Sequence, residues 1–275
     1  MEYKRILTVQ DISCVGQCSL TVALPILSAC GVETCILPSA VLSTHTAGFS
    51  GYTFRDLAED ILPITRHWEK ENIEFDAVYT GYLGSMKQIG YVKELKESRL
   101  KKDGVFIVDP AMADNGKLYP AFDLAYAEEM KKLCSVADVI VPNITEACFL
   151  TGETYRTEYD ENYIKTLMEK LCRMGAKTVV LTGVGYRDGK TGVAVYENGE
   201  YFYYEHRRNP KGSHGTGDVY ASAFSGAFLR GKTAQEAAKI AADYTLKCIE
   251  NTQDDPEHFY GVKFETAIPY LLELL

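Results

Sequence analysis

Several features that would place this chain in a common class are missing from it. The 275 residues contain no run of eighteen apolar residues, so the sequence predicts no transmembrane helix. The eight cysteines form no Cys-x-x-Cys pair, which argues against a zinc site or a disulfide framework. Positive charge is scarce, since 38 acidic residues outnumber 29 lysines and arginines and the net charge is −9. Nucleic acids and anionic membranes favour clustered lysine and arginine, so we expect neither as a partner.

Further absences bear on domain organisation, location and cofactor. No Pro/Gly/Ser-rich linker, charge block or internal repeat divides residues 1–275, and we predict a single domain. The N-terminal residues enter a strand-like run without the apolar core of a signal peptide, so we expect a cytoplasmic protein. Residues 11–20 contain one glycine, Gly16, and therefore lack the G-x-G-x-x-G turn of a dinucleotide-binding oxidoreductase.

Short β-branched segments alternate with amphipathic ones along most of the chain. The strand-like segments are residues 6–9, 34–37, 77–80, 105–109, 139–141 and 178–182. Helical periodicity is found at 53–71, 86–100, 124–133, 162–174, 219–229, 233–250 and 265–274. This alternation is typical of βαβ units and predicts an α/β fold with a mostly parallel sheet. An Asn-Gly turn between residues 193–196 and 201–204 predicts a hairpin that adds an antiparallel edge.

Polar residues follow five of the predicted strands, where ligands bind in doubly wound sheets. They are Asp11 and Ser13, then His45 and Thr46, then Tyr82, then Asp109 and Asp114, and finally Asn143 and Glu146. We expect the last four to converge on one rim of the sheet. Asn143 with Glu146 three residues later also fits a helix capping box, which implies no chemistry.

The most informative segment runs from Asn209 to Asp218 and ends in Gly215-Thr216-Gly217-Asp218, directly before an apolar helix. A glycine turn at a helix start leaves backbone N–H groups unpaired, so the segment predicts a phosphate cradle. Asp218 beside it could accept the proton of an attacking hydroxyl during phosphoryl transfer. Alternatively, the carboxylate only complements the helix dipole and the glycines only shape a turn. If Asp218 is the base, we expect the helix N-terminus to lower its pKa and make it a weak base.

Together, Asp109-Pro110, Asn143-x-x-Glu146 and Gly215-Thr216-Gly217-Asp218 resemble the ribokinase-like superfamily over nearly the whole chain. The resemblance implies a three-layer α/β/α sandwich. Within it, His45-Thr46, Thr80-Gly81-Tyr82 and Asp109-Pro110-x-Met112-x-Asp114 look like the pyridoxal/pyridoxamine kinase branch, which phosphorylates the 5′-hydroxymethyl group of vitamin B6 vitamers. This similarity implies ATP and Mg²⁺ as cofactors, a B6 vitamer as substrate, and a homodimer.

The resemblance also implies a role for each matching residue. Asp218 matches the catalytic base, and the amides of Gly215, Thr216 and Gly217 match an anion hole for the transferring phosphoryl group. Asp109 and Glu146 match a metal site, while Asn143 and Thr182, with Gly215 and Gly217, match the nucleotide side. The substrate-side matches are Asp11, Ser13, His45, Thr46, Tyr82 and Asp114.

One position departs from the family pattern, because some members carry serine where this chain has Asp11. A carboxylate near the pyridine ring would favour a cationic substituent, so we predict a preference for pyridoxamine. A hydroxymethylpyrimidine (phosphate) kinase remains open, although that branch usually has Gly-x-Gly-Cys in place of Gly-Thr-Gly-Asp. A non-catalytic vitamer-binding protein on the same fold also remains open. Sugar kinases commonly insert a β-lid after the first strands, for which residues 9–34 leave no room.

Overall fold

The computed structural model describes residues 3–209 and 214–275. A nine-stranded sheet lies at the centre of these residues. Its strands are β1 (Arg5–Ser13), β2 (Glu33–Leu42), β3 (Phe54–Asp56), β4 (Phe75–Thr80), β5 (Leu100–Val108), β8 (Val139–Ile140), β9 (Thr178–Val184), β10 (Lys190–Glu197) and β11 (Glu200–Arg207), and a separate ribbon consists of β6 (Ala113–Asp114) and β7 (Lys117–Leu118). The strand order is β11-β10-β9-β8-β5-β4-β1-β2-β3. The strands from β9 to β2 in this order pair in parallel, and antiparallel strands complete both edges.

Helices cover both faces of the sheet. They are α1 (Leu20–Ala29), α2 (Ala58–Lys70), α3 (Met86–Arg99), α4 (Leu124–Cys134), α5 (Ile144–Thr151), α6 (Glu161–Met174), α7 (Thr216–Leu229), α8 (Ala234–Thr252) and α9 (Ile268–Leu274). Side chains alternate along a strand, so Leu7 and Val9 pack in one core with α2 to α6, whereas Ile6 packs in a second core with α1, α7, α8 and α9. The predicted three-layer sandwich is therefore confirmed. Among residues 3–209 and 214–275, no helix combines the length and the apolar character that a membrane crossing requires.

The predicted hairpin is also confirmed. Asn198 and Gly199 have φ angles of 53° and 83°, the left-handed values that a two-residue hairpin turn requires. The predicted helix at residues 53–71 is wrong in its first five residues, because Phe54–Asp56 pairs antiparallel with β2. The helix begins at Ala58, whose N–H donates to Asp56 Oδ1 at 2.7 Å.

Candidate active site

A cavity of about 430 Å³ lies at the carboxyl ends of β5, β8 and β9. The structure brings nine of the sequence-predicted residues together around it: Asp109, Asp114, Asn143, Glu146, Thr182, Gly215, Thr216, Gly217 and Asp218. They come from the ends of β5, β8 and β9, from β6 and from the starts of α5 and α7, which are far apart in the sequence. The order of the strands therefore brings the acidic residues and the glycine turn to one place.

Asp218 lies in the first turn of α7 and is partly accessible from the cavity. Burial raises the pKa of its carboxyl to about 7, and the negative charge of Asp11 adds to this, while the backbone N–H of Ser19 donates to the carboxylate and opposes the rise. The expectation that the helix dipole lowers this pKa was wrong, since the loss of hydration outweighs the helix terminus. Asp218 can consequently gain or lose a proton near neutral pH.

The helix that carries Asp218 begins at a glycine in a left-handed conformation. Gly215, the N-cap residue of α7, has a φ of 72° and makes no side-chain cap. A Cβ atom at Gly215 would lie 1.9 Å from the carbonyl oxygen of Gln17, so only glycine fits this approach of the two loops. A Cβ at Gly217 would meet nothing within 4 Å, which leaves room beside the first turn for a ligand. Residues 210–213, part of the predicted phosphate cradle, lie outside the described residues.

Two buried carboxyls, Asp109 and Glu146, also line the cavity. Asp109 follows β5, and its Oδ1 accepts the Ala111 N–H at 3.1 Å. Glu146 accepts one N–H on each oxygen, from Met112 at 3.1 Å and from Asn143 at 2.8 Å. Burial raises the pKa of both carboxyls, and the charge of Glu146 raises that of Asp109 further. Oxygen donors that repel each other in this way suit a hard divalent cation such as Mg²⁺.

Asn143 has both the structural role and the position that the sequence suggested. Its Oδ1 accepts the Glu146 N–H at 3.0 Å, so that Asn143 and Glu146 form a capping box at the start of α5. Its Nδ2 donates to the Ala113 carbonyl at 2.8 Å and ties α5 to β6. Thr182 lies next to it, and its hydroxyl donates to the Pro142 carbonyl at 3.3 Å. Both side chains thus stabilise the rim they occupy.

The cavity does not include five of the predicted substrate-side residues, namely Asp11, Ser13, His45, Thr46 and Tyr82. Asp11 lies at the end of β1, only 5% exposed, and accepts the hydroxyls of Ser19 at 2.6 Å and Ser13 at 3.0 Å. Its negative charge raises the pKa of both Asp218 and Tyr82. Of these five residues, His45 reaches the edge of the cavity, since its ring centroid lies 6.0 Å from that of His214, which lines it.

Both ring nitrogens of His45 are hydrogen-bonded to backbone atoms. Its Nε2 bonds the Tyr260 carbonyl at 2.9 Å, and its Nδ1 accepts the Ala47 N–H at 3.1 Å, which assigns the proton to Nε2. Burial lowers the pKa of the ring and favours its neutral form. Neither nitrogen is left for a substrate. Thr46 is exposed beside it, and the Tyr82 ring packs against Phe122 with centroids 5.4 Å apart.

Comparison with known proteins identifies the family. The model of the phosphomethylpyrimidine kinase family matches residues 24–262. This chain belongs to that family. It is a kinase of the hydroxymethylpyrimidine/pyridoxal kinase group, in which relatives named for either substrate occur.

Three relatives illustrate both names. Pyridoxal kinase from Lactobacillus plantarum is 31% identical, with a TM-score of 0.91 over 99% of this chain and 98% of that one. A Bacteroides thetaiotaomicron structure with pyridoxal, provisionally assigned as a phosphomethylpyrimidine kinase, is 35% identical, with a TM-score of 0.93 over 98% of this chain and 96% of that one. Hydroxymethylpyrimidine/phosphomethylpyrimidine kinase from Bacillus subtilis is 28% identical over 78% of this chain and 77% of its own length. The chain spans only 46% of a matching thiamine biosynthetic bifunctional enzyme from rice.

Several residues of this site could not be predicted from the sequence. Thr191 and His206 line the cavity and are paired across the hairpin of β10 and β11, which the sequence predicted only as a sheet edge. Tyr119 lines the cavity after β7. Ser19, whose hydroxyl donates to Asp11 at 2.6 Å, carries no local sequence signal beyond its place after the Gly16 turn.

Proposed function

We propose that this kinase transfers the γ-phosphoryl group of ATP to the 5′-hydroxymethyl group of a B6 vitamer: pyridoxal, pyridoxamine or pyridoxine. The observation that carries the proposal is the position of Asp218, which lines the cavity from the first turn of α7, where burial raises its pKa to about 7. The similarity to the Lactobacillus plantarum pyridoxal kinase and to the Bacteroides structure with pyridoxal supports the vitamer as substrate.

In this proposal Asp218 is the general base. A base works best when its pKa lies near the working pH, because it is then deprotonated and still accepts a proton readily. Asp218 takes the proton of the substrate hydroxyl as its oxygen attacks the phosphorus. Negative charge on the transferring phosphoryl group falls at the N-terminus of α7, where the N–H groups of Gly215, Thr216 and Gly217 are the donors we propose for its stabilisation.

Asp109 and Glu146 would hold Mg²⁺, in part through water. Mg²⁺ keeps several of its waters and needs few carboxylates when a nucleotide supplies the other oxygens, so it would neutralise phosphate charge at this rim. Each Glu146 oxygen already accepts one N–H and retains a lone pair for a metal-bound water. Asn143 and Thr182 would line the nucleotide side, and Asp114, exposed on β6, would face the metal or the substrate hydroxyl.

Phosphorylation of hydroxymethylpyrimidine or its phosphate is the second candidate, and the family model and the Bacillus subtilis relative favour it. The same base, anion site and metal site would serve a pyrimidine alcohol. Asp218 favours the vitamer as the substrate, because it occupies the position at which the pyrimidine branch usually has cysteine.

The deciding experiment measures ADP release with Mg·ATP against pyridoxal, pyridoxamine, pyridoxine, hydroxymethylpyrimidine and ribose. Wild type, Asp218→Asn and the control Asp254→Asn are compared, since Asp254 is exposed outside the cavity. We expect turnover of a vitamer, a loss of several orders of magnitude in Asp218→Asn, and no change in Asp254→Asn. If hydroxymethylpyrimidine is the preferred alcohol, it replaces the vitamer as the proposed substrate. No turnover of any alcohol would leave a vitamer-binding protein.

A further inference from the structure

The side chains that line the cavity are rich in acids and poor in bases. Within residues 3–209 and 214–275, no lysine or arginine lines it, and its basic side chains are His206 and His214. Four carboxyls line it, namely those of Asp109, Asp114, Glu146 and Asp218. Phosphoryl transfer brings further negative charge into such a site, which metal ions and positively charged side chains stabilise. The two histidines are therefore the described side chains that could add positive charge.

His214 lies directly beside the first turn of α7. It precedes Gly215, the N-cap residue of this helix, and its side chain is exposed and lines the cavity. The position of Gly215 is restricted, because a Cβ there would lie 1.9 Å from the Gln17 carbonyl oxygen. The ring of His214 also lies near that of His45, which follows β2, with centroids 6.0 Å apart. His214 thus stands between the glycine turn and a residue of the predicted substrate side.

Of these two neighbouring histidines, only His214 can accept a proton without losing a hydrogen bond described in the structure. His45 donates its Nε2 proton to the Tyr260 carbonyl at 2.9 Å, and its Nδ1 accepts the Ala47 N–H at 3.1 Å. A proton on Nδ1 would break the second bond. Burial lowers the pKa of His45, and the charge of His214 lowers it further. A positive charge on this pair therefore belongs to His214.

His206 faces the cavity from a different element. It lies on β11, where it pairs with Thr191 of β10, and its Nδ1 lies 2.9 Å from the Arg207 carbonyl oxygen. This oxygen accepts the Nδ1 proton, so the ring is held to its own strand. His214, in contrast, is joined directly to the turn whose N–H groups we propose as donors to the phosphoryl group.

We propose that protonated His214 is a further catalytic residue, which donates a hydrogen bond to the γ-phosphoryl group of ATP during its transfer. The inference deepens the proposed function and rests on it. The bond between the γ-phosphorus and the oxygen that bridges to the β-phosphorus breaks, and the substrate oxygen forms a bond to the γ-phosphorus. The hydroxyl proton passes to Asp218, and ADP leaves with the bridging oxygen. His214 keeps its proton and contributes charge to the stabilisation of the phosphoryl oxygens.

Two substitutions of His214 separate its charge from its shape. Glutamine keeps an N–H donor without a charge, whereas lysine keeps a charge on a flexible side chain. Because the side chain is exposed, both variants should keep the melting temperature of the wild type. We expect kcat for the preferred alcohol to fall about 100-fold in His214→Gln and to recover to within about tenfold of the wild type in His214→Lys. His67→Gln, a change of an exposed histidine on α2, is the control.

Nucleotide binding tests the same contact without turnover. Isothermal titration in the presence of Mg²⁺ compares ADP with AMP-PCP, an ATP analogue that cannot transfer its terminal phosphoryl group. His214→Gln should raise the Kd of AMP-PCP about tenfold and change that of ADP by less than about twofold, because only the analogue carries a γ-phosphoryl group. An equal change for both nucleotides, or no change for either, would contradict a contact with that group.

The kinetic outcomes that would overturn the inference are equally specific. They are a His214→Gln enzyme within about twofold of the wild type in kcat, a His214→Lys enzyme no more active than His214→Gln, or a loss of kcat in His206→Gln or Lys211→Gln but not in His214→Gln. Lys211 lies outside the described residues. Each of these results leaves the proposed function standing if the wild type turns over an alcohol. A wild type that turns over none would refute the proposed function, and the two Kd values would still test the contact.

Discussion

Replacing Asp218 with asparagine should stabilise the fold while it removes the activity. An unfolded aspartate has a pKa of 3.8, and burial raises that of Asp218 to about 7. Holding the charged form in the folded state therefore costs up to about 4 kcal/mol at pH 8, at about 1.4 kcal/mol for each pH unit between the two values. Solvent in the cavity reduces this cost, and the asparagine also loses a charged hydrogen bond to Ser19. We expect a net gain of about 1–3 kcal/mol in the free energy of unfolding.

The sign of the pH dependence follows from the raised pKa. Below about pH 3 the carboxyl is protonated in both states, and Asp218 has no effect on stability. As the pH rises towards 7 the unfolded chain releases its proton first, so the wild type loses stability over this window and the loss is complete above it. The advantage of Asp218→Asn should therefore be largest at pH 8 and about half as large at pH 5.5.

Urea denaturation followed by circular dichroism at these two pH values measures the difference. Asp254→Asn, a substitution of an exposed aspartate, should change the free energy of unfolding by less than about 0.5 kcal/mol. Two results would refute the conclusion that the charged Asp218 carboxylate destabilises the folded state. One is an Asp218→Asn protein that is no more stable than the wild type at pH 8, and the other is a gain in stability that is the same at both pH values. A higher free energy of unfolding in Asp218→Asn would show that the wild type is less stable because it keeps the carboxyl that its activity requires.

Other consequences of the site can be measured in parallel. The kcat/KM for the alcohol should rise with pH along a limb with an apparent pKa near 7, and Asp11→Asn should move that limb to lower pH because a repelling charge is gone; a limb near pH 4 would contradict the assignment of the base. Asn143→Ala and Thr233→Ala each break a capping box and should lose about 0.5–2 kcal/mol in urea titrations, but only Asn143→Ala should raise the KM for ATP. Asp11→Ser should lower the ratio of kcat/KM for pyridoxamine to that for pyridoxal, and an unchanged ratio would remove Asp11 from substrate choice.

The sequence predicts the architecture well because strand and helix periodicities are local. It fails at Phe54–Asp56, which forms a strand only because β2 offers a free edge beside it. It also predicts which acids meet, since the strand ends of a parallel sheet share one rim. The same reasoning could not foresee the direction of the Asp218 pKa shift, because that depends on burial by elements about 200 residues away. The hydrogen bond between His45 and the Tyr260 carbonyl, 215 residues later in the sequence, could not be predicted for the same reason.

The layering of the sheet has a consequence for synthesis of the chain. One apolar face, which includes Ile6, Tyr79 and Val180, is covered mainly by α7 and α8, and these helices begin only at Thr216. Translation therefore completes most of the strands before the helices that shield this face leave the ribosome. A nascent chain at that stage exposes aggregation-prone surface and depends on chaperones or on rapid elongation. A stop codon shortly before Thr216 should thus yield insoluble material rather than a weakly active kinase.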